Sequence, residues 1–233
     1  MSLKDDLQKE VAGIFKESWS AREGYVVPAD SSIKLNNDAV NLEATVLYAD
    51  MADSTRLVQQ QKKHFAAEIY KAFLHCAAKI ISDQGGTVTA YDGDRIMAVY
   101  LGDPKSRSTP AVRTALKIRG AVKDIITPAI RSQYKDQTYA PQHVVGIDTG
   151  ELFVARTGVR GANDLVWVGR AANYAAKLAG LPHDYPTYIT EEVYNDLDES
   201  MRLSKGNEMW EPRRWTMMDN KLIYRSNYYI PFN

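Results

Sequence analysis

The stretch from Ala44 to Thr55, ATVLYADMADST, constrains the fold of this chain more than any other part of the sequence. Its first residues are apolar and β-prone and lead straight to a carboxylate, Asp50, after which small and polar residues form a turn. A long helical pattern follows. Such a turn offers backbone N–H groups to a phosphate, and an aspartate at a strand end can hold a divalent cation. We therefore expect a strand, a tight turn and a helix that bind phosphate and metal.

A second carboxylate lies in the run YDGD at residues 91–94, between two β-prone segments, Gly86–Tyr91 and Ile96–Leu101. Asp-Gly between two such segments is the strongest short-range hairpin signal. We therefore place Asp94 at a hairpin turn beside the end of the Asp50 strand. Carboxylates on neighbouring strand ends fit phosphoryl chemistry assisted by two cations. Solvated turn aspartates are the alternative interpretation.

Composition limits the classes of partner. Lysine plus arginine and aspartate plus glutamate are 29 each, so no net field favours nucleic acid or an anionic membrane. The single cysteine, Cys76, excludes an internal disulfide and a cysteine zinc site, and it suits a reducing compartment. The charged N-terminus has no apolar signal core, and no apolar run approaches the roughly 20 residues that span a bilayer. We expect a soluble, cytoplasmic protein.

The predicted domain organisation is an N-terminal helix and connector over residues 1–41, followed by one domain over 42–233. Apolar residues recur at helical spacing from Leu3 to about Trp19, and residues 22–41 form the connector. The first helix either docks on its own domain or stabilises a dimer or binds a partner. Both interpretations remain open at the sequence level.

The remaining pattern mixes helices with hairpins, which indicates an α+β sandwich rather than a doubly wound fold. Neither GxGxxG nor GxxxxGKS is present. We expect a mixed, mostly antiparallel sheet with helices packed on it. The other predicted helices are Thr55–Gln84, Pro110–Ser132 (capped by Ser106–Pro110), Gly169–Ala179 and Glu191–Leu197. The other predicted strands are His143–Asp148, a further strand that follows Thr149-Gly150 and runs to Ala155, Leu165–Val168 and Pro186–Thr190. A loop over Tyr134–Pro141, a connection over 158–164 and a β-rich tail to Tyr229 complete the prediction.

Four blocks resemble the class III nucleotidyl cyclase domain, and they keep that family's order and spacing from about Leu42 to Leu197. The resemblance implies a class III cyclase-like sandwich that is active as a head-to-tail homodimer with sites at the interface. Its substrate would be a nucleoside triphosphate, whose 3′-hydroxyl attacks the α-phosphorus in line and releases pyrophosphate. The blocks are LYADMADST at 47–55, YDGDRIMAVY at 91–100, VGIDTGELFVARTG at 145–158 and VGRAANYAAKLAG at 168–180.

The resemblance also implies roles for individual residues. In that family two aspartates hold two divalent cations, Mn²⁺ or Mg²⁺, and Asp50 and Asp94 match them. The backbone carbonyl after the first aspartate, here that of Met51, also binds metal. The phosphates would lie in the following turn, formed by Ala52, Asp53, Ser54 and Thr55.

The family's Asn and Arg, which stabilise the ribose and the transition-state charge, correspond to Asn173 and Lys177. Their spacing of four residues puts both on one helical face. Lysine keeps the positive charge but lacks the planar two-pronged guanidinium, so the substitution is not neutral. The late basic residue that holds the triphosphate is not resolved by the resemblance. The candidates are Arg213, Arg214 and Lys221.

The positions with which the family reads a purine are Ala90 and Val166, and neither side chain can read a purine edge. A smaller base needs other contacts. Tyr48 shares a strand face with Asp50 and could stack on or hydrogen-bond a base. Arg95 is a cation with no place in the usual pattern and could read the two carbonyl oxygens of uracil, which favours UTP over CTP. A core tyrosine and a solvated turn arginine are the alternatives.

The whole pattern looks like the bacterial pyrimidine cyclases of the Pycsar anti-phage systems. It implies conversion of UTP to cyclic UMP, a second messenger that a neighbouring effector senses. A cytidylate cyclase making cyclic CMP is the nearest alternative. A degenerate cyclase domain that only binds a nucleotide or a partner is a further one, supported by Lys177 and opposed by the joint presence of Asp50, Asp94 and Asn173.

Overall fold

The computed structural model describes residues 2–232 of the chain. Nine strands form one sheet, and two short strands form a separate ribbon. The strands are β1 (Ser20–Glu23), β2 (Asp38–Ala52), β3 (Thr87–Asp92), β4 (Arg95–Tyr100), β5 (Gln142–Val159), β6 (Ala162–Val168), β7 (Thr187–Thr190), β8 (Leu203–Ser204), β9 (Asn207–Glu208), β10 (Glu211–Trp215) and β11 (Lys221–Ser226).

Helices cover both faces of this sheet. The α-helices in the described part of the chain are α1 (Leu3–Lys16), which is exposed, α2 (Ser54–Gln60), α3 (Lys63–Asp83), α4 (Pro104–Ala121), α5 (Thr127–Gln133), α6 (Arg170–Ala179), α7 (Glu191–Asp196) and α8 (Glu199–Arg202), with a π-helical turn, Val122–Ile126, between α4 and α5.

The strand order confirms the predicted α+β class with a mixed, mostly antiparallel sheet. Along the main path it runs β10-β11-β7-β5-β2-β4-β3, with β1 beside β2 and β6 beside β5. The pairs β1–β2 and β5–β7 are parallel, and the other pairs are antiparallel. The central strand β2 therefore has neighbours on both sides.

Alternation along β2 divides the core into two layers. Leu47, Ala49 and Met51 face the layer built by α3 and α4, whereas Val46 and Tyr48 face the layer that contains α6. Burial on both faces explains why the sequence of this strand is nearly continuously apolar. The side chains next to the predicted site therefore lie on the α6 face.

Helix α6 is seated directly on β5 at Gly146. A Cβ atom at this position would overlap the carbonyl oxygen of Ala175 and the backbone nitrogen of Ala179. Ala171, Ala172 and Ala175 continue this small-residue contact. The absence of a side chain at Gly146 thus lets the helix and strand backbones approach each other.

Two predicted helices differ from those observed. The helix predicted over Thr55–Gln84 is broken at Gln61 and Lys62, both extended, because α2 ends before α3 begins. The spacing of Leu57 and Phe65 suits one helix or two, so periodicity could not show the break. The second helix begins at Pro104 rather than Pro110, which lies inside it. Residues 106–110, predicted as its cap, therefore belong to the helix, and Ser108 and Thr109 are buried in it.

The strands are longer than predicted. Strand β2 begins at Asp38, so the boundary drawn at residue 42 falls inside a strand, and the predicted connector contributes β1. Strand β5 runs without interruption through Thr149 and Gly150, where two strands were predicted. The predicted connection at 158–164 is largely a hairpin between β5 and β6. These strands are longer because they pair with partner strands, and local sequence propensity does not indicate such pairing.

The N-terminal helix α1 buries no residue, so the interpretation that it docks on its own domain is wrong. Its apolar side chains face outward, with Phe15 86% exposed and Ile14 58% exposed. The end of the helix is held by Asn37, whose Nδ2 donates to the carbonyls of Ile14 at 2.8 Å and Glu17 at 2.7 Å. Among residues 2–232, no helix has the length and apolarity needed to cross a bilayer.

Replacing Gly146 by alanine should lower the free energy of unfolding by about 1–3 kcal/mol, because a Cβ here forces two backbones apart. Urea unfolding followed by circular dichroism measures the loss. Gly13→Ala is the matched control, since no atom lies within 4 Å of its Cβ position. Because Gly13 lies inside the exposed helix α1, Gly13→Ala should stabilise that helix by up to about 1 kcal/mol. Equal stability of Gly146→Ala and the parent would contradict the close seating of α6.

Candidate active site

The β2–β4 ladder places Asp50 directly opposite Arg95. The guanidinium donates twice to Oδ2 of the aspartate, from Nη2 at 2.8 Å and from Nε at 3.1 Å. Both side chains remain partly exposed, at 16% for Asp50 and 37% for Arg95. The strand register, rather than sequence proximity, creates this ion pair.

Asp94 lies in the hairpin turn beside this pair, as predicted. Gly93 provides the left-handed backbone conformation of the turn, with φ of +62°. One carboxylate oxygen of Asp94, Oδ2, is buried and has no hydrogen-bond partner within residues 2–232. A buried carboxylate oxygen without a partner is costly, so it indicates a position suited to a cation.

The charges around Asp50 also indicate a position suited to a cation. Burial raises the pKa of its carboxyl group, the hydrogen bonds and charge of Arg95 oppose that rise, and the neighbouring charges of Asp94 and Asp92 raise the pKa further. A carboxylate whose pKa is raised by burial and by neighbouring negative charges is stabilised in its ionised form by a positive ion beside it. The cluster therefore has more negative charge than Arg95 neutralises.

The donor set at this edge fits hard cations that prefer oxygen ligands. On the β4 side the ladder stops at Asp50 and Arg95, so Met51 and Ala52 have no strand beside them there. Within residues 2–232, no group of three or more histidine, cysteine, aspartate or glutamate side chains is arranged to hold a metal ion. Two carboxylates with a backbone carbonyl suit Mg²⁺ or Mn²⁺ bound jointly with substrate phosphates rather than a closed zinc site.

The predicted phosphate turn follows immediately. Asp53 adopts the left-handed conformation with φ of 56°, and no side chain caps the helix α2 that begins after it. The first backbone N–H groups of a helix have no acceptor within the helix. Those of Ser54 and Thr55 therefore have no acceptor within the helix, and a cleft of about 300 Å³ lies beside the turn, with Asp53 and Arg56 in its lining.

Three of the predicted base-contacting residues form one patch next to Asp50 and Asp94, the predicted metal cluster. The ladders align Ala90 with Met97 and Met97 with Tyr48, so Ala90 and Tyr48 share the α6 face with Arg95. Burial raises the pKa of the Tyr48 hydroxyl, and the charge of Arg95 lowers it in part. The small side chain of Ala90 leaves space beside the tyrosine ring.

Val166 does not join this patch. It pairs with Ala155 on β5, whereas Tyr48 pairs with Gly146, nine residues earlier on the same strand. Nine residues of strand span about 30 Å. Within one chain, Val166 therefore lies away from the other three predicted base contacts.

Asn173 and Lys177 lie on the exposed face of α6. The ammonium group of Lys177 is 3.6 Å from the sulfur of Met218. Within residues 2–232, no hydrogen bond or ion pair joins either side chain to Asp50 or Asp94.

The structure distinguishes the three late basic residues. Trp215 packs edge-on against Tyr174 of α6, with ring centroids 5.5 Å apart, and strand alternation puts Arg213 on the same side. Arg214 points to the other face and donates to the carbonyl of Asn220 at 3.2 Å. Lys221 is paired with Glu192 at 2.7 Å. Arg213 is thus the candidate on the α6 side that has no hydrogen bond or ion pair within residues 2–232.

A buried charge network supports the start of α6, and it was not predicted from the sequence. Asp148 is fully buried, accepts a hydrogen bond from Thr190 at 2.6 Å and lies 3.4 Å from Nε of Arg170. Arg170 also pairs with Glu192 at 2.6 Å. Burial acts to raise the pKa of Glu192, but hydrogen bonds from Lys221 and Arg170 overcome it and lower the pKa to about 2. The sequence feature that could have indicated this network is Asp148 itself, an aspartate at the end of the apolar run VGID.

Comparison with known proteins shows the family to which the chain belongs. No family model matches the chain. It is 52% identical over 229 residues to a uridylate cyclase of Xanthomonas perforans, which covers 98% of both chains. It is 51% identical over 220 residues to a uridylate cyclase of Burkholderia cepacia, which covers 94% of both chains. The chain belongs to the uridylate cyclase family.

The fold of this uridylate cyclase family member is that of the class III nucleotidyl cyclases, as predicted. The adenylyl cyclase CyaB from P. aeruginosa superimposes with a TM-score of 0.64 at 21% sequence identity, covering 81% of this chain and 95% of that chain. At this level of sequence identity, the comparison shows only that the two folds are similar. The position of Arg95 is the main difference from the sequence-based expectation. Its guanidinium contacts Asp50, whereas it was expected to be free to contact a base.

Ionisation of Asp50 should destabilise the metal-free fold. Because its folded-state pKa is raised, the stability that Asp50 contributes is fully present below its unfolded pKa and is lost as the pH rises through its folded pKa. Asp50→Asn should therefore gain stability relative to the parent between about pH 4 and pH 7. Urea unfolding in a chelating buffer measures this, with Asp136→Asn as a control for the loss of one exposed carboxylate. A difference independent of pH would contradict the burial argument.

Proposed function

We propose that the chain converts UTP to 3′,5′-cyclic UMP and pyrophosphate, at sites completed by two copies of the chain. The observation that carries the proposal is the cluster of Asp50 and Asp94, with its unpartnered buried oxygen, beside a turn of free N–H groups. Relatives named uridylate cyclase at 52% and 51% identity support UTP as the substrate.

Asp50, Asp94 and the carbonyl of Met51 would hold two divalent cations, Mn²⁺ or Mg²⁺. Such ions neutralise the triphosphate and favour ionisation of the attacking 3′-hydroxyl. The N–H groups of the turn Ala52–Thr55 orient the phosphates. Cations bound at Asp50 would weaken its attraction for the Arg95 guanidinium, so the N–H donors of Arg95 would become available to a base.

A guanidinium next to Tyr48 explains a preference for uracil. Uracil offers two carbonyl acceptors, which match the N–H donors of Arg95, whereas cytosine has an amino donor in place of one of them. Tyr48 provides a ring on which a pyrimidine can stack, and Ala90 leaves room for it. Asp92 lies close enough to act on the pKa of Tyr48, so a cytosine amino group would also find an acceptor near the patch. Cytidylate cyclase activity is therefore the second candidate.

The exposed position of Asn173 and Lys177 supports a homodimer. A second copy would bring these side chains from its own α6 against the metal cluster, where Asn173 orients the ribose and Lys177 stabilises negative charge in the transition state. Arg213 on the same side would hold the triphosphate. Val166 could face a base at Tyr48 only from that second copy.

The proposed biological role is production of a second messenger in anti-phage defence inside the cytoplasm. The resemblance to the Pycsar cyclases supports this role. A gene for an effector that responds to cyclic UMP should then neighbour the gene for this chain.

Incubation of the purified chain with ATP, GTP, CTP or UTP and Mn²⁺ should yield cyclic UMP from UTP, identified by mass spectrometry. Asp50→Asn and Asp94→Asn should each lower turnover by at least about 100-fold, because each removes a ligand charge for the cations. Asp136→Asn, at an exposed loop position, is the matched control and should keep parental turnover. Cyclic CMP as the main product would favour the second candidate, and no cyclic product from any nucleotide would favour a binding domain.

Mixing two inactive variants tests the shared site. Asp50→Asn and Asn173→Ala should each be inactive alone, whereas their mixture should recover about a quarter of the parental rate, because half of the randomly formed dimers contain one intact site. Turnover of UTP at equal total protein concentration measures the recovery. Mixing Asp50→Asn with Asp94→Asn is the control and should recover nothing, since both residues belong to the same half-site. Equal recovery in both mixtures, or in neither, would contradict the arrangement.

A further inference from the structure

A cleft on the α4 side of the sheet is rich in positive charge. It has a volume of about 420 Å³ and lies between the segment that follows α4 and the loops before β5 and β7. One acidic residue, Asp184, is among the residues that line it. The basic residues of this basic cleft are Arg119, Lys123, Arg131, His143 and His183.

The three cations Arg119, Lys123 and Arg131 form a line along the helical segment. Arg119, Lys123, Thr127 and Arg131 follow one another at steps of four residues. In a continuous α-helix each step of four would drift by about 40° around the axis. The π-helical turn between α4 and α5 adds a residue to one turn and corrects the drift. All four side chains therefore face the basic cleft.

The fixed contacts of these cations are neutral. Nη1 of Arg119 donates to Oδ1 of Asn227 at 3.0 Å, and the ammonium group of Lys123 lies 3.6 Å above the ring of Tyr229. Burial lowers the pKa of the Arg119 guanidinium, which shows that its charge is partly removed from water. Within residues 2–232, no carboxylate lies within 4 Å of a charged nitrogen of Arg119, Lys123 or Arg131. A partly buried cation without a counter-ion is costly and favours an anionic ligand.

His143 closes the inner end of the cleft. Its side chain is buried, with 4% of the residue exposed, and its Nε2 has no hydrogen-bond partner within residues 2–232. Burial, together with the charge of Arg119, lowers its pKa to about 3, so the imidazole is neutral at physiological pH. A neutral imidazole can still donate one hydrogen bond to an anion.

We propose that the basic cleft is a second anion site, separate from the metal cluster, that binds a group of two or more linked phosphates. Arg119, Lys123 and Arg131 have no carboxylate partner within residues 2–232, and their three charges exceed the charge of about −1.5 to −2 on one phosphate group, whereas linked phosphates match them. The cleft also borders the phosphate turn, because Nε2 of His183 is 3.9 Å from Oδ2 of Asp53. The ligand is either free pyrophosphate or the polyphosphate of a nucleotide. This inference does not depend on the proposed catalytic activity.

Isothermal titration calorimetry of the full chain with inorganic pyrophosphate, in a chelating buffer without divalent cations, tests the site. We expect saturable binding that is retained in Arg95→Gln, because that variant removes the cation beside Asp50 and leaves the basic cleft unchanged. The double variant Lys123→Gln/Arg131→Gln should weaken binding at least tenfold. Both positions are exposed, so the variant should fold, which circular dichroism will verify. The matched control Arg160→Gln/Lys205→Gln removes the same charge from exposed turns and should change the affinity less than twofold.

Each further outcome supports or overturns the site. Displacement of pyrophosphate by UTP, but not by cyclic UMP, supports a nucleotide-borne polyphosphate, whereas no displacement by UTP supports free pyrophosphate. Absence of saturable binding to the parent overturns the proposal. So does equal weakening by the two double variants, which indicates general charge attraction. Loss of binding in Arg95→Gln, with binding unchanged in Lys123→Gln/Arg131→Gln, overturns it as well, because the anion then lies beside Asp50 and not in the basic cleft.

Discussion

Hydrogen bonding along the central strand β2 is the interaction on which the rest of the structure depends. This strand pairs with β5 from Ala39 to Ala52 and with β4 from Thr45 to Asp50. A slip of one residue would exchange the core side chains Leu47 and Ala49 with Tyr48 and Asp50. The burial of the core therefore fixes the register, and the register fixes which side chains reach the site.

The parts of the fold that follow from local periodicity were predictable. The hairpin around Asp94 and the helix after Gly169 have strong short-range signals, and both lie where the sequence placed them. The elements that depend on distant partners were not predictable. Strand β5 continues through Gly150 because β2 pairs with it along that length. The start of α4 at Pro104 was obscured because buried polar residues inside it, such as Ser108, resemble a cap.

The candidate site also has features that the sequence predicts and features that it does not. The neighbourhood of Asp50 and Asp94 could be predicted, because a strand end and an adjacent hairpin turn are local features. The contact between Arg95 and Asp50 could not, because it depends on which residues two strands place opposite each other. The charged support of α6 by Asp148 joins three separate segments, and an isolated aspartate in an apolar run does not identify its partners.

The close seating of α6 on Gly146 has a consequence for control. A helix whose backbone rests on a strand cannot slide or tilt without breaking that contact, so Asn173 and Lys177 move only with the sheet. If two copies complete the site, as proposed, activity then depends on encounter between rigid partners and not on rearrangement within one. The rate of product formation would rise with the square of a low protein concentration, which makes the abundance of the chain itself the natural regulator of output.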